Sequence, residues 1–309
     1  MIDSFYAFGH YHSSEWERAS LMDTESMPAL MVGLGDLGSR IARQLAAASI
    51  PTTGVRRRTE PVAGVTVVSH DVCTPWPRDL MARPPADVVF CLAPPERTDA
   101  GYEKAYLEPA RAGLHWLQQQ APQAHVWLIA STSVYAQQAG EWVDETAIAA
   151  PSRSGAALIR AAEQLWLDSP QPATTLRPAG LYGPGREYLL RQAEQGYRVA
   201  DAQPIYTNRI HVDDVARAVA HLVQRRRRDG VAEAVFNLAD RKPVALQTLL
   251  PHLQQQLGVQ MTGEARHLRR GSKRISSARL AATGFQWLYP DWTLGYADLI
   301  AQRRARQPD

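Results

Sequence analysis

The fold is decided by one stretch of the chain, Met31-Val32-Gly33-Leu34-Gly35-Asp36-Leu37-Gly38-Ser39-Arg40-Ile41-Ala42. A short apolar run, Ala29 to Val32, leads into this glycine-rich turn and is typical of a buried strand. Leu37, Ile41 and Leu45 then recur every four residues, which indicates one face of a helix. A strand, a Gly-x-Gly-x-x-Gly turn and a helix in this order form the context in which the motif is specific.

Each glycine of this turn has a predicted task. Gly33 permits the tight turn, Gly35 lets a pyrophosphate approach the backbone, and Gly38 lets the helix pack closely on the strand. The first N–H groups of the helix, at the positive end of its dipole, would bind the phosphates. We therefore predict a dinucleotide site that includes Gly33, Gly35, Asp36, Leu37 and Gly38. The alternative is a glycine turn with a purely structural role.

The composition indicates a soluble globular chain of 309 residues, with 45% hydrophobic and 21% charged residues. The net charge of +3 is too small to predict nucleic-acid binding. No apolar run approaches the length of about 18 residues that a membrane span requires. Cys73 and Cys91 have neither metal-ligand spacing nor the pattern of a disulfide framework, which favours a reducing cytoplasm and predicts no metal site.

Two segments outside the main pattern need an interpretation. The run Arg225 to Arg228 follows a helical stripe, so we interpret it as a solvated last helical turn rather than a nucleic-acid patch. Residues 1–26 are polar and aromatic and lack the pattern of a secretory signal. We interpret them as a disordered leader, with translation beginning at Met22 or Met27.

Strands and helices alternate over about 150 residues at the rhythm of βαβ units. This predicts an α/β fold of Rossmann type, a doubly wound parallel sheet with helices on both faces. We expect the dinucleotide-binding domain at residues 27–180. Residues 181–309 contain shorter elements and predict a small C-terminal α/β cap that binds substrate and is partly interwoven with the first domain.

The second predicted strand, residues 50–55, ends in Arg56, Arg57 and Arg58. In NAD-preferring folds this position, about 20 residues past the turn, holds an acid that binds the ribose hydroxyls. Here the first acid is Glu60, and a guanidinium matches a phosphate in its fork geometry. The sequence therefore favours NADP as the cofactor, with NAD as the alternative. If the three arginines do not bind the cofactor, they form an exposed basic turn.

Ligands of such sheets bind at the carboxyl ends of the strands. The other predicted cofactor-binding residues all follow strands: Asp71, Leu92, Ala93, Pro94, Arg177, Pro178 and Gly180. Ser131 and Tyr135 follow the strand at residues 125–130, at the same predicted edge.

Four segments together resemble one family. They are Ser131-Thr132-Ser133-Val134-Tyr135, Arg177-Pro178-Ala179-Gly180-Leu181-Tyr182-Gly183-Pro184-Gly185, Arg209-Ile210-His211-Val212-Asp213-Asp214-Val215-Ala216 and Asn237-Leu238. Their order is similar to that of the short-chain dehydrogenase/reductase superfamily, on the side of the extended NAD-dependent epimerase/dehydratase family. The resemblance covers residues 27–300.

The sequence departs from this family where the acid/base pair should be. The family carries Tyr-x-x-x-Lys at the start of the helix after the serine strand. Anchoring on Glu163 places Gly155 and Ile159 at those positions, and anchoring on the Ser154-Gly155 pair places Ser154 and Leu158 there. Neither register restores the pair, so the chain resembles the atypical branch of the superfamily.

Two candidates for the chemistry remain. The resemblance implies that Ser131 hydrogen-bonds the substrate oxygen, which polarises a carbonyl but does not readily supply a proton. Tyr135 is a candidate substitute acid. The alternative for Tyr135, which we favour, is a packed aromatic at a strand end.

Three functional hypotheses follow. The first is an NADP-dependent oxidoreductase or epimerase-like enzyme that acts on a small carbonyl, hydroxyl or sugar-like substrate, as a monomer or homodimer without nucleic-acid or membrane partners. The second is a non-catalytic dinucleotide-binding sensor or scaffold, which the missing Tyr and Lys favour. The third is a 6-phosphogluconate-type dehydrogenase, which shares the Gly-x-Gly-x-x-Gly form. It would need a long helical C-terminal domain, and the strand end Ser131-Thr132-Ser133-Val134-Tyr135 argues against it.

Overall fold

The structure is a computed structural model that describes residues 27–230, 232–267 and 271–306. The predicted leader, residues 1–26, lies outside this part of the chain. The strands are β1 (Ala29–Val32), β2 (Thr52–Arg56), β3 (Val65–Ser69), β4 (Asp87–Phe90), β5 (His125–Ile129), β6 (Glu141–Val143), β7 (Ala173–Pro178), β8 (Gly180–Tyr182), β9 (Arg198–Val199), β10 (Tyr206–Thr207), β11 (Arg209–His211), β12 (Val235–Leu238), β13 (Val244–Ala245), β14 (Ala265–Arg266) and β15 (Lys273–Ile275). The helices are α1 (Asp36–Ala47), α2 (Asp99–Tyr102), α3 (Glu108–Gln120), α4 (Ser154–Leu167), α5 (Tyr188–Glu194), α6 (Val212–Asp229), α7 (Leu246–Leu257), α8 (Ala278–Ala282) and α9 (Trp292–Arg306).

Seven strands form one sheet in the order β12-β7-β5-β4-β1-β2-β3, and every neighbouring pair is parallel. All of their carboxyl ends therefore lie along one edge. β1 has β2 on one side and β4 on the other, so the strand order reverses there and opens the crevice in which such sheets bind dinucleotides. The predicted Rossmann-type parallel sheet is confirmed.

Helices cover both faces of this sheet. α1 packs beside α6, whereas α4 packs beside α2 and the π-helical turn Glu103–Leu107 that joins α2 to α3. Right-handed crossovers place the β1–β2 and β4–β5 connections on opposite faces. The π-helical turn precedes Pro109, which has no N–H to donate to the preceding helical turn.

The C-terminal residues contribute to two hydrophobic clusters. The first is the core around the sheet and includes residues of α6 and β12. The second is built largely from α5, α7 and α9. β12 lies at the end of the central sheet beside β7, so the chain returns to the first unit after β8. The predicted boundary after residue 180 stays a prediction.

The start of α6 is capped by His211 rather than by either of the two acids that follow it. The Nδ1 of His211 accepts the N–H of Asp213 at 3.2 Å. The buried Asp214 carboxylate instead accepts the backbone N–H groups of Leu288 and Tyr289, at 2.6 and 2.9 Å.

The basic run at the end of α6 also differs from its interpretation as a solvated turn. Arg227 is buried, and its Nε donates to the Asp87 carboxylate at 2.7 Å. Trp127 donates to the same buried carboxylate at 2.9 Å, and Arg226 pairs with it at 3.3 Å. A buried charge requires such partners, which the local charge pattern did not reveal.

None of the helices in the described part of the chain combines the length and the apolar character that a membrane span requires.

Candidate functional site

The glycine turn is built so that two of its positions exclude a side chain. Gly33 has φ +95°, in the region that favours glycine, and a Cβ there would lie 2.6 Å from the Cys91 carbonyl oxygen. A Cβ on Gly38 would overlap the carbonyl oxygen of Gly33. These two glycines therefore bring α1 against β1 and the end of β4.

Gly35 has a different environment. Its φ of −73° is open to any residue, and a Cβ there would meet no atom within 4 Å in the part of the chain that the structure describes, its two chain neighbours aside. Among the described residues, no side chain caps the start of α1, and the first N–H groups of a helix have no partner within the helix itself. A dinucleotide pyrophosphate fits here, because the backbone at Gly35 is accessible and the helix dipole favours an anion.

The end of β2 carries the three arginines predicted to select the cofactor. Arg56 forms an ion pair with Glu60, at 2.8 Å between nitrogen and oxygen. The first arginine and the first acid of this segment are therefore partners of each other. Arg57 and Arg58 are exposed. The Arg57 carbonyl accepts the Ser69 hydroxyl at 3.0 Å, which ties this turn to the end of β3.

The other predicted cofactor residues lie at the ends of β3, β4 and β7. The Asp71 carboxylate accepts the Cys73 N–H at 3.1 Å. Leu92 lies beside Gly33, since a Cβ on Gly33 would be 2.6 Å from the Cδ2 of Leu92. Ala93 and Pro94 follow Leu92 in the chain. Pro178 ends β7 and Gly180 begins β8. All of these positions share the carboxyl edge of the sheet.

Ser131 lies just past β5, as predicted. Its Oγ accepts the Ser133 N–H at 3.1 Å and caps the short helical turn Thr132–Val134. The side chain is half-buried. Its hydroxyl hydrogen can still be donated to a substrate oxygen.

Tyr135 is buried, and its hydroxyl already has two partners. It accepts from Arg177 Nη1 at 2.8 Å and donates to Asn237 Oδ1 at 2.9 Å. Burial raises the pKa of the Tyr135 phenol, although Arg177 opposes this rise. The geometry favours the alternative of a packed aromatic at the strand end over a substitute acid.

Arg177 belongs to the same buried network. Its Nε and Nη2 donate to the two carboxylate oxygens of Glu163, at 2.8 and 2.7 Å, and Glu163 is fully buried. The guanidinium that we expected near the cofactor is therefore held by Glu163 and Tyr135.

The two registers place the missing pair in different environments. A Cβ on Gly155 would lie 2.6 Å from the ring of Tyr102, which covers this position from α2. Ile159 is buried. In the other register, Ser154 is exposed and Leu158 is half-buried. Tyr102 is thus a phenol beside the first turn of α4 that sequence reasoning missed.

Lys273 is a second residue that sequence reasoning missed. Its Nζ donates to the backbone carbonyl of Tyr135, so a cation from β15 reaches the loop that follows Ser131. Burial lowers the pKa of Lys273, an effect that Glu141 opposes and Arg153 reinforces. No local pattern around residue 273 indicated this long-range contact.

The fold and the turn geometry define a Rossmann-type protein with a dinucleotide-binding motif at its switch point. No family model matches the chain, and no curated protein matches it. A solved structure from Methylobacillus flagellatus, described as an NAD-dependent epimerase/dehydratase, is 35% identical, with 90% of this chain and 99% of that chain covered and a TM-score of 0.75. The chain belongs to the NAD-dependent epimerase/dehydratase family.

More distant structures share the fold. A functionally unknown conserved protein from Silicibacter pomeroyi is 24% identical, with 90% of this chain and 99% of that chain covered and a TM-score of 0.69. MoeE5 in complex with UDP-glucose and NAD is 21% identical, with 91% of this chain and 100% of that chain covered and a TM-score of 0.73.

Proposed function

We propose that this protein binds NADP and uses it to reduce or oxidise a small carbonyl, hydroxyl or sugar-like substrate with a non-standard acid/base group. One observation carries the cofactor part. Gly35 exposes its backbone at an uncapped helix start, while Gly33 and Gly38 are glycines for packing reasons. NADP would supply the hydride chemistry, and the chain's residues bind and orient the reactants.

The residues have separate tasks in this proposal. The turn from Gly33 to Gly38 holds the pyrophosphate, and Arg57 and Arg58 bind the 2′-phosphate. Ser131 donates a hydrogen bond to the reacting oxygen of the substrate. Because the Tyr135 hydroxyl is engaged with Arg177 and Asn237, we assign the proton transfer to the phenol of Tyr102, beside Gly155. UDP-sugars are candidate substrates, since MoeE5 is described in complex with UDP-glucose.

Cofactor selectivity is the first prediction. NADPH should bind about ten-fold or more tightly than NADH, because a guanidinium–phosphate hydrogen bond contributes about 1.5–3 kcal/mol. The double variant Arg57→Ala/Arg58→Ala should erase this difference in calorimetric titrations. Arg43→Ala, which removes an exposed charge from α1, is the control and should retain it. Tighter binding of NADH to the wild type would refute the arginine assignment.

Turnover is the second prediction. With NADPH and a panel of carbonyl compounds and UDP-sugars, Ser131→Ala should lower kcat about 10²-fold, the typical cost of one lost oxyanion donor. Tyr102→Phe should also lower kcat. Tyr106→Phe removes a hydroxyl from the ring stacked on Tyr102, at 6.2 Å between centroids, and should leave the rate unchanged. Rates that persist in both Ser131→Ala and Tyr102→Phe would remove the catalytic assignment.

A second function, a non-catalytic dinucleotide sensor or scaffold, is favoured by one observation. The position of the missing tyrosine is covered by the Tyr102 ring, and the Tyr135 hydroxyl is internally bonded. Tight NADPH binding without turnover of any compound in the panel, together with a partner protein retained only in the presence of cofactor, would support this function.

A further inference from the structure

A loop from the C-terminal half of the chain reaches the glycine turn. Arg186 lies just after β8, and its Nε donates to the Asp36 carboxylate at 3.0 Å. Asp36 is the first residue of α1 and directly follows Gly35. Both side chains are partly exposed, 35% for Arg186 and 43% for Asp36. The guanidinium therefore lies at the same helix start as the proposed pyrophosphate site.

The backbone of this loop is fixed. Gly183 and Gly185 both have positive φ, +134° and +78°, and the Arg186 N–H donates to the Gly183 carbonyl at 2.9 Å. A Cβ on Gly183 would lie 2.8 Å from Val212 and 2.9 Å from His211, so the loop is packed against the start of α6. The loop that carries Arg186 is therefore held by its own hydrogen bond and by the start of α6.

The end of β4 lies beside the glycine turn, because a Cβ on Gly33 would be 2.6 Å from the Cys91 carbonyl oxygen. The half-buried Cys91 follows β4, and desolvation raises the pKa of its thiol to about 12, a shift that Arg186 opposes and Asp36 reinforces. The crevice between the ends of β1 and β4 is where the dinucleotide of such a sheet binds. The Arg186 guanidinium, bonded to the first residue of α1, lies at this crevice.

Asp36 is unusual at a phosphate site, because its negative charge opposes a bound pyrophosphate. Burial raises the pKa of this carboxyl, but hydrogen bonds from Arg40 and Arg186 outweigh the burial and lower it below the ordinary value. Asp36 is therefore ionised at neutral pH. Arg40 Nε holds its other oxygen at 2.9 Å, so the carboxylate keeps a partner when Arg186 leaves.

We propose that Arg186 is a pyrophosphate-binding residue that exchanges the Asp36 carboxylate for the diphosphate of the cofactor. The inference rests on the proposed dinucleotide binding. A guanidinium binds a phosphate through two parallel hydrogen bonds, which its single bond to Asp36 does not provide. The exchange leaves Asp36 with Arg40 and places both charges of the diphosphate between Arg186 and the first N–H groups of α1.

Calorimetric titration with NADPH tests this exchange. Arg186→Ala should weaken NADPH binding about ten-fold, since a charge-assisted hydrogen bond is lost but the ion pair with Asp36 no longer has to be broken. Arg186→Lys should be intermediate, because it keeps the charge without the fork. Asp36→Asn should bind NADPH several-fold more tightly than the wild type, because both the competing partner and the repulsion are removed.

Two controls separate this inference from the proposed function. Arg191→Ala, an exposed charge on α5, should leave NADPH affinity unchanged. Adenosine 2′,5′-bisphosphate has only one of the two phosphates that form the pyrophosphate of NADPH. Arg186→Ala should therefore weaken the binding of this bisphosphate less than the binding of NADPH, whereas Arg57→Ala/Arg58→Ala should weaken the binding of both.

The outcomes are distinct. If the wild type binds neither NADPH nor NADH, the proposed function fails. If the wild type binds NADPH and a fully folded Arg186→Ala variant, with unchanged melting temperature, binds it equally well, the exchange is refuted. Equal losses for NADPH and the bisphosphate would also refute it, because they would place Arg186 at the adenosine end.

Discussion

Gly35→Ala is expected to abolish cofactor binding without destabilising the protein. Apart from its chain neighbours, the added Cβ meets no atom of the described residues within 4 Å, and the φ of −73° suits alanine, so the fold tolerates it. It projects into the space where the pyrophosphate would approach the backbone. Losing two charge-assisted hydrogen bonds there predicts an affinity at least about 100-fold lower. Calorimetry with NADPH and a thermal melt measure the two effects.

Gly38→Ala is the matched comparison, since it adds the same methyl group three residues later. Its Cβ would overlap the Gly33 carbonyl oxygen, which belongs to backbone and cannot rotate away. We expect a loss of about 3 kcal/mol in the free energy of unfolding, at the upper end of the usual cost of overpacking. If Gly35→Ala lowers stability as much as Gly38→Ala, or leaves NADPH affinity intact, then the turn does not present Gly35 to a ligand.

Glu163→Ala is expected to lower the free energy of unfolding by about 3–5 kcal/mol, because it leaves Arg177 buried without its carboxylate. Glu163 is fully buried and binds Arg177 through both oxygens, at 2.8 and 2.7 Å. Urea unfolding followed by tryptophan fluorescence measures the loss. The variant should also disturb Tyr135, whose hydroxyl accepts from the same guanidinium.

Arg160→Ala is the control for this ion pair. Arg160 also contacts Glu163, at 3.1 Å, but its side chain is 29% exposed. Its removal should cost less than about 1 kcal/mol, as is usual for solvent-screened pairs. The double variant Glu163→Leu/Arg177→Met should recover much of the stability, because an apolar pair of similar volume often replaces a buried ion pair without loss. Similar losses for Glu163→Ala and Arg160→Ala would contradict the burial argument.

The parallel sheet and the glycine turn could be predicted because their signals are local. Each buried strand is a short apolar run, and the turn needs glycine for reasons that concern neighbouring backbone alone. The expected strand bounds differed by one or two residues: we predicted the second strand at residues 50–55, and β2 is Thr52–Arg56. Both registers of the missing pair begin at the start of a helix, at Ser154 or Gly155, and α4 does begin at Ser154.

The partners of the charged side chains could not be predicted in the same way. Periodicity shows which face of a helix is buried but not which residue it meets. Asp87 and Arg227 are 140 residues apart in sequence, and Asp36 and Arg186 are 150 apart. Tyr102 over Gly155 is a contact of the same kind, between two helices that meet only in the folded chain. Such contacts determine whether the side chain of a predicted site residue is available to a ligand or already bonded within the protein.

The pairing of β12 with β7 has a consequence for how the chain acquires its structure during synthesis. The last strand of the sheet to be synthesised, β12, ends at Leu238. The Asp87 carboxylate in β4 gains its ion pair with Arg227 only after α6 has been synthesised. A nascent chain that has emerged only to residue 180 has β7 as an unpaired sheet edge and an uncompensated buried acid. The N-terminal half therefore gains its full stability late, after the ribosome has passed the middle of the C-terminal half. High contact order of this kind predicts slow folding and exposure to aggregation at the intermediate stage.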